Sequence, residues 1–143
     1  MDGVSAASGG GGLIPLLVVD AANVVGSVPD GWWRDRVGAN VRLRDALASL
    51  SREGLTGPRV PEALGAPPLE VVLVVEGRAR GVEGTDSVRV VSAPGSGDDA
   101  LVDLVRQEGA GRLCVVATAD RALAQRVTAL GAVVIGPRSV PRR

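Results

Sequence analysis

The sequence predicts an α/β fold in which a mostly parallel five-stranded sheet is covered by helices on both faces. Hydrophobic residues make up 45% of the 143 residues, and valine is the most frequent residue. Valine-rich runs without polar interruption are typical of strands buried on both faces, and here they alternate with segments of helical spacing. This alternation indicates parallel strands joined by crossover connections within one domain.

Short apolar runs mark the predicted strands. They are residues 16–19, 71–75, 88–91, 113–117 and 133–135. The first run stops at Asp20 and the second at Glu76. Residues 77–87 contain no obvious helix, so the connection from the second to the third strand is close to the minimum length for a parallel crossover.

Three segments have the apolar spacing of amphipathic helices. They are residues 34–52, 98–107 and 121–130. Asp98 and Asp99 open the second of them, where negative charge meets the positive end of the helix dipole. Gly131 fits the C-terminal stop of the third. Residues 54–68 are rich in Pro and Gly and predict a loop.

The N-terminal segment and the single cysteine bear on domain organisation and location. Residues 1–12 are rich in Gly and Ser, which predicts a flexible tail before one folded domain at 13–143. A lone cysteine suits a reducing compartment. The apolar run at 13–19 is far shorter than the roughly 20 residues that cross a bilayer. We therefore expect a cytoplasmic protein that does not engage a membrane.

Missing residue types exclude several classes of enzyme. The chain has no Lys, which excludes a P-loop phosphate clamp and Schiff-base chemistry. It has no His, which excludes Ser-His-Asp and Cys-His nucleophiles and histidine-ligated zinc. Any catalytic groups must therefore be carboxylates, supported by Arg, Asn, Ser, Thr and backbone amides. The net charge of zero gives no overall attraction to nucleic acid, so RNA binding would depend on local arginines.

Acidic residues follow the predicted strands at one edge of the sheet. Asp20 and Glu76 end the first and second strands, Asp120 lies just past the fourth, and Asp98 and Asp99 open the helix after the third strand. In a parallel sheet these positions share the carboxyl edge, where open α/β folds bind ligands. Clustered carboxylates repel one another unless a cation neutralises them, and oxygen-only ligands favour Mg²⁺ or Mn²⁺. The pattern therefore predicts a metal site for phosphodiester cleavage.

Each acidic position also has a structural interpretation. A single Asp at a strand end is commonly a helix cap, and Asp98 and Asp99 fit ordinary N-terminal helix chemistry. Glu76 is expected to pair with Arg78 or Arg80 at the surface. Helix capping can explain each acidic residue taken singly. It does not readily explain why all of the acidic residues lie at the same edge of the sheet, so we favour a functional site.

Three short motifs resemble those of a known family. They are Asp-Ala-Ala-Asn-Val-Val-Gly at 20–26, Gly-Asp-Asp-Ala-Leu-Val at 97–102 and Ala-Thr-Ala-Asp-Arg at 117–121. In order and spacing the chain resembles the NYN branch of the PIN-like nucleases, and the YacP-like group in particular, over residues 13–137. Ala22 departs from the pattern, because the family usually has an aromatic residue before the Asn, which would alter how a base stacks.

This resemblance implies a metal-dependent ribonuclease on a five-stranded parallel sheet of order 3-2-1-4-5. By position, Asp20, Asp98 and Asp120 would bind Mg²⁺ or Mn²⁺. Asp99 would be an auxiliary metal ligand or a base, and Asn23 would orient the scissile phosphate. These five residues form the predicted catalytic set.

Further residues are candidates for contacting RNA. Arg78 and Arg80 follow the second strand, and Arg121 follows Asp120, so their guanidinium groups can hold phosphates. Trp33 can stack on a base of single-stranded RNA. The alternatives are surface solubility for the arginines and a plug over the aliphatic core for Trp32 and Trp33.

Two other functions stay open at this stage. The same crevice can serve a module that binds RNA or a nucleotide without cutting, or a phosphohydrolase that acts on small nucleotides. The target RNA, the mode of cleavage and the oligomeric state, with a homodimer among the options, are left open by the sequence.

Overall fold

The sheet of the computed structural model has the predicted architecture. The structure describes residues 13–79 and 81–142, without the side chain of Arg78, and the tail predicted at 1–12 lies outside this part. The strands are β1 (Leu16–Asp20), β2 (Glu70–Val75), β3 (Arg89–Ser92), β4 (Cys114–Ala117) and β5 (Val133–Ile135). They are all parallel, in the order β3-β2-β1-β4-β5, which confirms the predicted order 3-2-1-4-5.

β1 occupies the centre of the sheet. Val18 pairs with Val72 of β2 on one side and with Val116 of β4 on the other. The chain therefore winds outward from β1 in both directions, and β1 and β4 flank the point at which the winding reverses. In open α/β sheets this is where a crevice forms at the carboxyl edge.

Helices cover both faces of the sheet. They are α1 (Ala21–Gly26), α2 (Arg36–Leu47), α3 (Leu50–Glu53), α4 (Gly97–Glu108) and α5 (Arg121–Thr128), with single 3₁₀ turns at Trp32–Arg34, Glu62–Gly65, Gly77–Ala79 and Pro137–Ser139. Gly131 follows α5 with a φ of 96°, a left-handed conformation that suits glycine and confirms the predicted stop.

Two helix predictions were wrong in detail. The single helix predicted for 34–52 is divided into α2 and α3, and α2 begins only after Asp35, whose carboxylate accepts a hydrogen bond from the Gly38 N–H (2.9 Å) and caps the helix. The segment after β1, where the sequence predicts no helix, contains α1. Six residues are too few for a helical period to be visible in sequence.

The core has two apolar layers, one on each face of the sheet. Because successive side chains of a strand point to opposite faces, Leu17 and Val19 pack with the α1 and α2 side. Leu16 and Val18 pack with α4 and α5. Cys114 belongs to the second layer, where burial raises the pKa of its thiol to about 11 and leaves it an inert core residue.

The connection from β2 to β3 is as short as the sequence predicts. After the 3₁₀ turn at Gly77–Ala79 it closes with a tight turn, in which the Thr85 N–H donates to the Val88 carbonyl (2.8 Å) and the Thr85 hydroxyl accepts from the Val88 N–H (3.1 Å). The turn brings β3 into parallel register with β2, with Leu73 opposite Val90.

Candidate active site

A polar crevice lies at the carboxyl edge of the sheet, where β1 and β4 diverge. We call it the acid crevice, and its volume is about 320 Å³. Its lining residues are Asp20, Ala22, Asn23, Glu76, Ser96, Asp98 and Asp120. Most of the predicted catalytic set therefore converges on one place.

Asp20 is the most firmly held of these carboxylates. It ends β1 and caps α1, where its Oδ1 accepts from the Asn23 N–H at 3.5 Å. Its Oδ2 accepts from the hydroxyl of Thr118, which is buried at the end of β4, at 2.8 Å. The Asp20 carboxylate is thus fixed between the two central strands. Sequence reasoning did not single out Thr118, although it lies within the third motif.

Asn23 and Asp120 tie the two sides of the acid crevice together. The Asn23 side-chain oxygen accepts from the Ala119 N–H (2.8 Å), which joins α1 to the turn after β4. Asp120 caps α5 by accepting from the Leu123 N–H (3.0 Å), and its own N–H donates to the Thr118 hydroxyl (3.1 Å). Asp120 therefore both caps α5 and lines the acid crevice.

Glu76 lines the acid crevice, at the carboxyl edge where the sequence places it, although sequence reasoning favoured a surface pairing with Arg78 or Arg80. It accepts a hydrogen bond from the Gly97 N–H at the start of α4. A Cβ at Gly97 would overlap the Glu76 carboxylate, so the end of the Glu76 side chain would have to shift. Gly95 and Gly97, on either side of Ser96, are the sequence features that could have indicated this contact, because glycine allows another group to approach the backbone closely.

Asp98 and Asp99 separate in space although they are adjacent in sequence. Asp98 lines the acid crevice, whereas the exposed Asp99 forms an ion pair with Arg126 of α5 (3.1 Å). The structure therefore brings together Asp20, Asn23, Asp98 and Asp120 but directs Asp99 toward α5.

Comparison with known proteins gives a likeness in structure. No family model matches the sequence, and no curated protein matches it either. The crystal structure of Rae1 (YacP) from Bacillus subtilis, as a W164L mutant, matches with a TM-score of 0.64 at 19% identity, over 87% of this chain and 71% of that one.

The chain has a PIN-like fold. The motif resemblance to the YacP-like group is therefore confirmed at the level of the fold. An identity of 19% supports a shared fold alone. No helix of the described residues is long and apolar enough to span a bilayer.

The surroundings of Asp20 in this PIN-like fold disfavour its charged form. Burial raises the pKa of the Asp20 carboxyl, and the hydrogen bonds from Thr118 and the Asn23 N–H offset part of the rise. The negative charges of Asp98 and Glu76 raise it further. A carboxylate held in place at this electrostatic cost is typical of functional sites.

Asp98 experiences the same field with less burial. Partial desolvation raises the pKa of its carboxyl, and the charges of Asp120 and Glu76 add to the rise. Arg126 lowers the pKa and Asp99 raises it. The crevice thus has an excess of negative charge that a cation would relieve.

The donor set fits a hard divalent cation. Asp20, Asp98 and Asp120 supply carboxylate oxygens, which Mg²⁺ and Mn²⁺ prefer. Within 13–79 and 81–142, no three Asp, Glu or Cys side chains are arranged so that they could hold a metal ion directly. Mg²⁺ in proteins is commonly held by one or two carboxylates together with water and substrate phosphates, and that mode suits an open crevice.

The predicted RNA contacts are only partly within the described residues. Arg121 is exposed in the first turn of α5, directly after Asp120. Trp33 is 47% exposed and packs edge to face on Trp32, with ring centres 5.8 Å apart. The Arg78 side chain and Arg80 lie outside the described part of the chain.

Thr118→Val is expected to destabilise the fold and disturb Asp20. The substitution leaves the Asp20 carboxylate without its hydroxyl donor and the Asp120 N–H without its acceptor. Loss of such buried partners costs about 1–3 kcal/mol of unfolding free energy and raises the pKa of Asp20 further. Urea unfolding measures the loss. Thr128→Val, at the exposed end of α5, is the matched control, and an equal loss in both variants would contradict the assigned role.

Proposed function

We propose that this chain is a metal-dependent ribonuclease that hydrolyses RNA phosphodiester bonds at the acid crevice, in the cytoplasm. The observation that carries the proposal is the set of carboxylates at the carboxyl edge between β1 and β4, each held by a specific hydrogen bond or helix position. The PIN-like fold and the three motifs agree with it. The absence of Lys and His from the sequence leaves carboxylate chemistry as the available route.

The side chains at the acid crevice have different roles in this proposal. Asp20, Asp98 and Asp120 would hold Mg²⁺ or Mn²⁺. Asp99 would serve as an auxiliary ligand or base only by leaving its ion pair with Arg126. A bound ion of this kind supplies a Lewis acid that activates water and offsets the charge on the phosphate. Thr118 holds the Asp20 carboxylate in one orientation through its hydroxyl.

Asn23 has a positioning role in this proposal. Its side-chain oxygen is engaged with the Ala119 N–H, which keeps α1 and the turn after β4 at a fixed separation. Asn23 and Asp120, the residue after Ala119, both line the acid crevice. The side chain can then orient the scissile phosphate through its amide group, which lines the same crevice.

Arginine and tryptophan side chains around the acid crevice would bind the RNA strand. Arg121 stands next to Asp120 and can contact a bridging or leaving phosphate, and we assign the same role to Arg78 and Arg80. Trp33 offers an exposed ring for stacking, which needs an unpaired base. Single-stranded RNA is therefore the preferred substrate.

A non-catalytic module that binds RNA or a nucleotide is the second candidate. It is favoured by one observation, namely that the described carboxylates are not arranged to hold a metal ion directly. A phosphohydrolase of small nucleotides would use the same residues and differ only in substrate.

The deciding experiment incubates end-labelled single-stranded RNA with the protein in Mn²⁺ and in EDTA. We expect cleavage in Mn²⁺ and none in EDTA, and calorimetry should record Mn²⁺ uptake. Uptake of Mn²⁺ without cleavage of RNA but with hydrolysis of a nucleoside triphosphate would favour the phosphohydrolase. The absence of both uptake and cleavage would overturn the proposal in favour of the binding module.

A further inference from the structure

Two smaller cavities continue the acid crevice along the α1 and α2 side of the sheet. The nearer one, which we call the side cavity, shares Ala22 and Glu76 with the acid crevice. The other, which we call the far cavity, shares Val25 and Trp32 with the side cavity. The three therefore form one continuous path over the surface, which begins at the carboxylates and passes Trp32.

Arginines line both of these cavities. Arg36 lines the side cavity, and Arg42 and Arg142 line the far cavity. Arg36 and Arg42 are exposed and Arg142 is half-buried, so a ligand on the surface can reach them. Each cavity also has one acidic residue in its lining, Glu76 in the side cavity and Asp30 in the far cavity. Three arginines against two acids leave an excess of one positive charge along the path.

The three arginines along the path are not occupied by carboxylates of the protein. Within residues 13–79 and 81–142, neither Arg36, Arg42 nor Arg142 forms a salt bridge. Five of the other described arginines do, namely Arg44, Arg89, Arg106, Arg112 and Arg126. A guanidinium without a carboxylate partner can bind a phosphate without first breaking an ion pair.

The Arg36 guanidinium is positioned by an aromatic ring although the residue is exposed. It lies 5.0 Å from the centre of the Trp32 ring, which is within the range of a cation–π contact. Trp32 packs edge to face on Trp33, with ring centres 5.8 Å apart. A side chain that is already positioned loses less conformational entropy when it binds a ligand. Arg36 is therefore placed to hold a phosphate close to the one in the acid crevice.

Arg42 and Arg142 lie farther along the path. Arg36 and Arg42 are six residues apart in α2, which corresponds to about 9 Å along the helix axis, so they would contact different phosphates. Arg142 comes from the C-terminal segment, which passes α1 at the 3₁₀ turn Pro137–Ser139 after β5. Two separate segments of the chain thus bring arginines to the far cavity.

We propose that Arg36, Arg42 and Arg142 hold phosphates of a single-stranded RNA that leaves the acid crevice along this path, which we call the arginine track. The inference rests on the proposed function and deepens it by assigning the direction in which the strand leaves the site. Because the chain has no net charge, affinity for RNA must come from local arginines without partners. Contacts to phosphates position a strand without reading its sequence.

The first test measures binding of a labelled single-stranded RNA by fluorescence anisotropy across a range of salt concentrations. EDTA is present, so that neither a metal ion nor cleavage contributes. Each phosphate contact to a single strand adds about 0.7 to the slope of log affinity against log salt. Arg36→Gln should therefore reduce the slope by about 0.7, and Arg42→Gln/Arg142→Gln should reduce it by about 1.4. Arg36→Lys keeps the charge and should keep the slope.

Arg52→Gln/Arg59→Gln is the matched control for the double variant. It removes the same two positive charges, but both residues are exposed and neither lines the acid crevice or the two cavities. Arg52 lies in α3, beside the opposite edge of the sheet, where the Ser51 carbonyl accepts from the Leu69 N–H just before β2 (3.3 Å). The control should bind RNA with the slope of the wild type, and urea unfolding should show all variants folded.

The second test follows cleavage of the same RNA in Mn²⁺. Arg42→Gln/Arg142→Gln should raise KM by about tenfold and change kcat little, because contacts distant from the reacting phosphate hold the substrate and the transition state alike. A fall in kcat with an unchanged KM would contradict a role in holding the strand.

The outcomes separate this inference from the proposed function. An equal loss of slope in both double variants, or no binding of RNA by the wild type in EDTA, would overturn the arginine track. Displacement of the RNA by polyglutamate as readily as by unlabelled RNA would indicate an acidic polypeptide as the partner and would also overturn it. Binding that depends on the arginine track without any cleavage would leave the track standing and remove the ribonuclease. Cleavage with the same KM in the wild type and both double variants would do the reverse.

Discussion

Asp98→Asn should lower the rate of Mn²⁺-dependent RNA cleavage by roughly a hundred- to a thousandfold while the protein stays folded. The Asp98 carboxylate faces the acid crevice, so its charge is available to hold a cation. Removing one preorganised electrostatic contact at a reacting phosphate typically costs a factor of this size. The unfolding free energy should change by less than about 0.5 kcal/mol, because the side chain is near the surface.

Asp103→Asn is the matched control for this prediction. Asp103 lies on the same helix, its side chain is 62% exposed, and it pairs with Arg106 away from the acid crevice. The same chemical change there should leave cleavage unaltered and remove only a surface ion pair. Single-turnover cleavage of labelled RNA, with urea unfolding of both variants, makes the comparison. Full activity in Asp98→Asn would remove Asp98 from the catalytic set.

The sheet was predictable because its strands are local apolar runs. Each predicted strand begins and ends within one residue of the observed one, since a polar residue follows the first four runs and a glycine follows the fifth. The meeting of Asp20 and Asp120 followed from the sheet order. The parallel direction of the strands places their carboxyl ends at one edge, and the order 3-2-1-4-5 that the resemblance implies makes the first and fourth strands neighbours.

The less predictable features depend on contacts between distant residues. Glu76 accepts a hydrogen bond from the Gly97 N–H, 21 residues away. Asp99 turns away from its neighbour because Arg126 on another helix attracts it. Thr118 becomes important only because β1 and β4 are adjacent, so that its hydroxyl reaches Asp20. Contacts of this kind leave no periodic pattern of residues in the sequence, so the sequence by itself does not predict them.

In the absence of a divalent cation, the stability of the protein should fall as the pH rises through the acid range. The folded-state pKa values of Asp20 and Asp98 are raised above the ordinary 3.8. Between 3.8 and the raised values the folded chain binds more protons than the unfolded chain, so the unfolding free energy decreases with rising pH. The penalty is absent below 3.8 and fully present once both groups are ionised in the folded protein.

Mn²⁺ should reverse this loss above the raised pKa values. A cation that binds only the folded state at a hundred times its dissociation constant adds about 2.7 kcal/mol of stability, which for a chain of this size raises Tm by roughly 5–10 °C. Below pH 3.8 protonated carboxyls cannot hold the ion, so the shift should vanish. Thermal unfolding across pH, with and without Mn²⁺, measures both effects.

The double variant Asp20→Asn/Asp98→Asn separates a crevice-bound ion from ions elsewhere on the surface. It should lose both the decline of Tm with pH in this range and the rise with Mn²⁺, because it lacks the two carboxyls whose pKa values are raised. Asp103→Asn should keep both. If the double variant responds to Mn²⁺ as the wild type does, the ion binds outside the acid crevice and the carboxylates there have another role. If Mn²⁺ stabilises neither protein, the raised pKa values reflect burial of charge without a cation to balance it.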